Sequence, residues 1–261
     1  MQFLRKQRAS LSIFLRYLCR WPSKARSIAH EALRHKQNNN MRLKKIHTCP
    51  ELAQMVDRLG FLPLLRMGIG LSAEELADDE CQYTVLPDGG WEWPLWEWKG
   101  SILRETGCAY GKFLNRKATF ISREWWPDFC NYRRSRQPYP AEGSVEQMVL
   151  DTLREHGSLI TRELRALCGF TGTKMRGKFD AYLTRLEMQG YIVTEDFVYP
   201  TDRHGRRYGW GWSLLTTPEQ LFGKEACQPQ RTPEDSYNRM YGHLRTLLPN
   251  ASDELFKHLL G

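Results

Sequence analysis

No apolar run in this 261-residue chain approaches the roughly 18 residues that a membrane-spanning helix needs. A membrane partner is therefore not expected. No internal repeat is visible, which sets solenoids and propellers aside. The seven cysteines, Cys19, Cys49, Cys81, Cys108, Cys130, Cys168 and Cys227, are odd in number, and no two lie closer than 22 residues. Neither a C-x-x-C pair nor a Cys/His cluster occurs, so the sequence offers no zinc site and no disulfide framework. The expectation is no metal and no cofactor, with reduced thiols in a cytoplasmic protein.

What is present is ordinary in amount and uneven in place. Hydrophobic residues make up 41%, aromatics 12% and charged residues 26%, so collagen-like, coiled-coil and wholly disordered chains are excluded. The formal net charge is +8. Residues 1–40 hold nine Lys/Arg and one acid, Glu31, which accounts for all of it. Residues 41–261 are neutral. Within them, 72–98 carries eight acids and no Lys or Arg, and 99–136 carries nine basic residues and three acids. An acidic segment beside a basic one suggests a polarised surface. Three readings of the arm stay open: an upstream extension ahead of a start at Met41, a disordered tail with a binding role, or a transit-type peptide.

Thr48-Cys49-Pro50-Glu51, Ser72-Ala73-Glu74-Glu75 and Ser144-Val145-Glu146-Gln147 are capping boxes, each predicting a helix start. Residues 91–99, with Trp91, Trp93, Trp96 and Trp98, read as extended chain, and Ser101 to Arg104 as a strand. Ala109–Leu114 and Lys117–Ser122 read as a hairpin turning at Asn115-Arg116. Ser122 then caps a helix, with Pro127 in its first turn. The turn-rich stretch 137–143 is the expected boundary between a Trp-rich lobe, 41–143, and a second unit, 144–222.

That second unit is the most legible. A helix from Val145, a short extended link at Leu159-Ile160, a helix capped by Thr161, a third helix over 174–189 and a strand pair over 191–199 and 207–215 follow one another. This is the order of a winged helix-turn-helix. At 100° per residue, Phe179, Tyr182, Leu183 and Leu186 form one face of the third helix. Lys174, Lys178 and Arg185 form another, around Ala181. A recognition helix needs this division, one face for the core and one for phosphates and base edges. The hairpin tip adds Arg203, His204, Arg206 and Arg207. The same surface also suits a protein partner, since winged helices serve as interaction modules, and 144–215 nets only +1. Residues 223–261 carry two apolar stripes, around Tyr237–Leu248 and Leu255–Leu260, and read as closing helices. The expected fold class is α+β.

Trp96-Glu97-Trp98-Lys99-Gly100, Cys108-Ala109-Tyr110-Gly111-Lys112-Phe113, Ile121-Ser122-Arg123-Glu124-Trp125 and Tyr132-Arg133-Arg134 resemble the AlkZ-related bacterial proteins. Residues 154–164 resemble the first winged-helix unit of the AlkZ/YcaQ DNA glycosylases, and Phe222-Gly223 fits the same group. The first resemblance spans about 41–261; the second is mainly the winged helix. It implies double-stranded DNA as partner and a role in DNA repair or maintenance. Those enzymes place the attacking water with a Gln-x-Gln or Gln-x-Asp motif, and 41–143 contains none. Gln54-Met55-Val56-Asp57 has the wrong spacing, and Gln228-Pro229-Gln230 lies in the linker after the wing.

An active site, if the chain has one, is expected in the aromatic segment, since chemistry on a base needs it held between aromatic faces. Glu92 or Glu97 would orient water. Trp91, Trp98, Trp125 or Trp126 would stack, and Lys112, Arg116, Arg123, Arg133 and Arg134 would hold phosphates. The same tryptophans also suit a core. Three functions follow: a DNA-binding relative of the glycosylases, a base-excision glycosylase with a different catalytic acid, and a non-enzymatic interaction module.

Overall fold

The computed structural model describes residues 44–261 apart from 88, 89, 138, 173, 174 and 206–208. The arm therefore lies outside the described residues, as do Lys174, Arg206 and Arg207. The chain mixes helices and sheets, as expected of an α+β protein.

The first helix, α1, is Cys49–Leu59. The Thr48 hydroxyl accepts from the Glu51 N–H, and the Glu51 carboxylate reaches back past the cap residue to accept from the His47 N–H at 2.8 Å. Strand β1, Phe61–Pro63, follows, then the short helix α2, Ala73–Leu76, capped by Ser72. A two-stranded hairpin, β2 at Thr84–Val85 and β3 at Trp91–Glu92, leads into helix α3, Pro94–Thr106.

Helix α3 corrects two expectations. Residues from Pro94 to Lys99 are helical, and Ser101–Arg104 is not a strand. Pro94 has the φ of a first helical turn, and Gly107 closes the helix in the left-handed region at φ 61°. The buried face is Leu95, Lys99, Gly100, Ile102 and Leu103. Its apolar stripe is broken by a lysine and a glycine, so the helical period is masked in the sequence.

Strands β4, Ala109–Leu114, and β5, Lys117–Ile121, form the expected hairpin. Asn115 and Arg116 both take positive φ, 48° and 59°, as a two-residue primed turn requires. The antiparallel sheet runs β1-β5-β4, with Phe61 opposite Ile121 and Tyr110 opposite Phe120. Helix α4 is Trp126–Arg136. Trp125 rather than Ser122 is its cap residue and no side chain makes the capping bond; the Ser122 carbonyl accepts from the N–H groups of Trp125 and Trp126, each at 3.1 Å, in the turn ahead of the helix.

Helix α5, Val145–His156, is capped by Ser144. Strand β6, Leu159–Ile160, helix α6, Thr161–Leu167, and helix α7, Arg176–Met188, follow. Ile160 rather than Thr161 is the cap residue of α6, and no side chain makes the capping bond. Strands β7, Val193–Val198, and β8, Trp212–Thr216, complete an antiparallel sheet in the order β6-β8-β7. Strand β8 starts later than the sequence suggests because Gly209 and Gly211 have φ 74° and 73°. Both lie in a region costly for other residues, and a Cβ on Gly211 would lie 2.9 Å from the Tyr199 ring. The chain bends around Trp210 instead of extending through it. Helices α8, Pro218–Phe222, α9, Pro233–Leu247, and α10, Asp253–Leu260, end the chain.

The buried residues form two clusters. One collects α1, α3, the β1-β5-β4 sheet and α4, with Met240, Leu244, Phe256 and Leu260 of α9 and α10 in the same cluster. The other holds Val149, Leu150, Leu153, Leu164, Phe179, Leu183, Leu186, Ile192 and Leu215. Burial of this kind is worth roughly 1.5–3 kcal/mol per large side chain. Asp128, 1% exposed on α4, ties α9 to α4 by accepting from Ser236 at 2.9 Å and pairing with Arg231 at 2.7 Å and with Arg239.

Candidate nucleic-acid interface

Helix α7 buries Phe179, Leu183 and Leu186 in the second cluster. Its outer surface shows Arg176, Gly177, Lys178, Asp180, Ala181 and Arg185 to solvent. The expected division of faces is therefore present for Lys178, Ala181 and Arg185, while Lys174 lies outside the described residues. Arg185 is engaged within the chain: it pairs with Glu146 at 2.8 Å and lies over the Tyr182 ring at 5.2 Å. Arg176 adds an exposed cation that the helical angles assign to another face.

A third face of α7 carries Glu187, buried against β4. Its carboxylate accepts from the Lys112 N–H at 3.3 Å and pairs with the Lys112 ammonium at 3.3 Å. Burial raises its pKa, opposed by the charge and hydrogen bonds of Lys112. Lys112 thus serves an internal carboxylate as well as Thr184, at 3.2 Å.

Between β7 and β8, Arg203 and His204 are exposed, with Arg203 Nε donating to His204 Nε2 at 3.1 Å. The Asp202 carboxylate accepts from the His204 N–H at 2.8 Å and fixes the turn.

The hairpin does not stand alone. Trp210 lies flat against Trp91, with ring centroids 4.5 Å apart and planes at 16°. Tyr83 stacks on Trp91 at 6.2 Å. Trp93 and Trp96 meet Trp210 edge-on, and Trp96 Nε1–H donates to the Trp210 carbonyl at 3.2 Å. Beneath Trp96 lies Lys99, wholly buried. Its ammonium sits 3.9 Å from the Trp96 centroid and 4.3 Å from that of Phe197, and donates to the Trp96 carbonyl and the Tyr199 hydroxyl at 3.1 Å each. Burial lowers its pKa to about 7, with the Glu97 charge opposing. The neighbouring ion pair, Arg104–Asp196 at 2.7 Å, also joins α3 to β7.

Several residues proposed from sequence for stacking or phosphate contact are committed elsewhere. Trp126 is 1% exposed and packs among Phe113, Phe129 and Phe222. Trp125 is buried, with His243 stacked at 4.3 Å and Arg239 at 4.0 Å. Neither offers a free face to a base. Trp98 is half-buried against the first cluster. Arg133 is buried and donates to the carbonyls of Phe113 and Leu259 at 3.1 Å each. Arg134 pairs with Glu219 at 2.6 Å and donates to the Gly190 carbonyl at 2.7 Å. A cation whose donors are spent on carbonyls at the core does not meet a phosphate. Arg116, on the turn, and Arg123, over Phe222 at 4.4 Å, remain exposed.

Of the two carboxylates, Glu92 is exposed but adjacent to Trp91 in a strand, so the two side chains point to opposite faces. Glu97 is exposed on the first turn of α3, next to Trp96. The thiol of Cys108 is buried and pushed up to about 12 by that burial, so it is no nucleophile. Among the described residues, no group of His, Cys, Asp and Glu is placed to hold a metal, and no helix is long and apolar enough to cross a membrane. Trp210 was missed because a tryptophan between two glycines in a hairpin carries no local sign of its distant partner.

The family model described as AlkZ related matches residues 46–261, which takes in both clusters and every side chain above. The chain belongs to the AlkZ-related family. No curated protein and no solved structure matches it. Within this AlkZ-related chain the exposed face of α7, exposed Arg203 and His204, and half-exposed Trp210 are candidate surfaces for a partner.

Proposed function

We propose that this AlkZ-related protein binds double-stranded DNA in repair or maintenance, as a relative of the AlkZ-type glycosylases. In this reading 144–222 is a winged helix-turn-helix, α7 its recognition helix and β7–β8 its wing. Residues 41–143 are then a Trp-rich lobe and 223–261 its closing helices. The observation that carries it is the outer surface of α7, where Lys178 and Arg185 are exposed around Ala181 while Phe179, Leu183 and Leu186 are buried. Small residues between cations let a helix approach a groove closely. Lys174, Lys178 and Arg185 would contact the groove and Arg203, Arg206 and Arg207 the backbone, with His204 also at the DNA. The test is acetylation of Lys178 in the full chain, read by mass spectrometry. A saturating duplex should protect it, and unchanged reactivity would count against the assignment.

A base-excision activity is the second reading, favoured by the position of Glu97 beside Trp96. It would place Glu97, rather than Glu92, as the residue that orients water. Base release from an alkylated duplex that persists in Glu97→Gln would dispose of it. The third reading, a protein-interaction module, predicts a protein bound through α7 and no salt-dependent DNA affinity.

A further inference from the structure

Tyr83, Trp91 and Trp210 form a short column of rings, at 6.2 Å and 4.5 Å centroid spacing, with adjacent planes within 24° and 16° of parallel. The column is built from two hairpins, β2–β3 and β7–β8, and the edges of Trp93 and Trp96 brace it. Both end residues reach solvent: Tyr83 is 41% and Trp210 48% exposed. Exposed aromatic rings gathered in one place make a candidate binding surface. A flat exposed ring at the end of a stack is best continued by another flat ring. We propose that the Trp210 end of this column receives a single nucleobase displaced from the DNA stack. This rests on the DNA-binding reading above and names the DNA that reading leaves open: duplex carrying an unpaired or unstacked base.

Charge selects the end. Exposed Asp79 and Glu80 lie four and three residues before Tyr83 and disfavour phosphates on that side. The Trp210 end belongs to the hairpin that carries exposed Arg203, and Arg162 sits 5.2 Å from the ring of nearby Trp212. Glu97, exposed and next to Trp96 in the chain, has a carboxylate that accepts hydrogen bonds, and base edges offer N–H donors that phosphates lack. The hydrogen bond from Trp96 to the Trp210 carbonyl holds the receiving ring in place before any base arrives. A preorganised face avoids the ordering cost of forming the site on binding.

The experiment uses the full chain and two duplexes of the same sequence. In one, a 2-aminopurine is paired; in the other it is a single-nucleotide bulge. The bulged duplex should bind roughly tenfold more tightly, as expected for one base stacked on an aromatic side chain. Its fluorescence should fall on binding as the base moves onto the indole. Trp210→Leu should bring the two affinities together, and Trp210→Phe should keep most of the preference. Equal affinities with duplex binding intact, a preference that survives Trp210→Leu, or unquenched bulge fluorescence in the wild-type complex would each overturn the proposal while leaving DNA binding standing. The quench in the wild-type complex decides even if Trp210→Leu does not fold. Binding to neither duplex would remove the DNA reading and this one with it.

Discussion

Trp210 lies flat on Trp91, 4.5 Å from centroid to centroid, and so fastens the β7–β8 hairpin to the β2–β3 hairpin. Gly211 makes the approach possible, with φ 73° and no Cβ against the Tyr199 ring. Gly211→Ala adds both backbone strain and a clash at 2.9 Å. It should cost about 1–3 kcal/mol of stability, read as a lowered urea midpoint at unchanged slope. A cost under about 0.5 kcal/mol would mean that the bend is not held as described.

Lys99 makes stability depend on pH in an unusual direction. Burial holds its pKa at about 7, far below that of an unfolded lysine. Between pH 7 and the unfolded value, the unfolded chain binds the extra proton, so stability rises with pH. The gain is at most about 1.4 kcal/mol per pH unit, and it is reduced by Trp96 and Phe197, whose ring faces favour the ammonium. Urea unfolding between pH 7 and 8.5 should show a positive slope that Lys99→Met flattens. Equal slopes in both proteins would contradict the assignment.

Asp128 anchors two arginines of the closing segment from a buried position on α4. Asp128→Ala leaves Arg231, Arg239 and Ser236 without their shared acceptor. Loss of one partner of a buried pair predicts a destabilisation of about 3 kcal/mol, measured by thermal or urea unfolding. Glu124→Ala removes only an exposed partner of Arg239 and should cost under about 1 kcal/mol.

Glu187 and Lys112 form the link between α7 and β4. Lys112→Met strands a buried carboxylate, whose pKa should climb further because burial already raises it. Stability should then be greater at low pH and fall as pH rises through the folded pKa, since the folded state holds the proton more tightly. The double variant Lys112→Met/Glu187→Met should lose that pH dependence. Its persistence would show that another group is responsible.

The parts legible in the sequence were those fixed locally. Caps at Thr48, Ser72 and Ser144 each place a hydroxyl on an N–H of their own helix. The Asn115-Arg116 turn is likewise a two-residue affair. Helix α3 was hidden because Lys99 and Gly100 occupy its buried face. The engagement of Arg133, Arg134 and Lys112 with carbonyls and carboxylates is a tertiary fact, and composition counts them as free cations. The tryptophan junction was legible only by half: Trp91 and Trp96 stand in an evident cluster, while Trp210 reaches them from 114 residues beyond Trp96.

The salt dependence of duplex binding, measured by fluorescence anisotropy, tests the central claim most directly. The full chain is compared with its Lys174→Ala/Lys178→Ala/Arg185→Ala variant, so that the +8 arm contributes equally to both. The account predicts weaker binding by the variant and a salt slope shallower by about one for each phosphate contact removed. Affinity and slope unchanged by the triple substitution would contradict a DNA-facing α7.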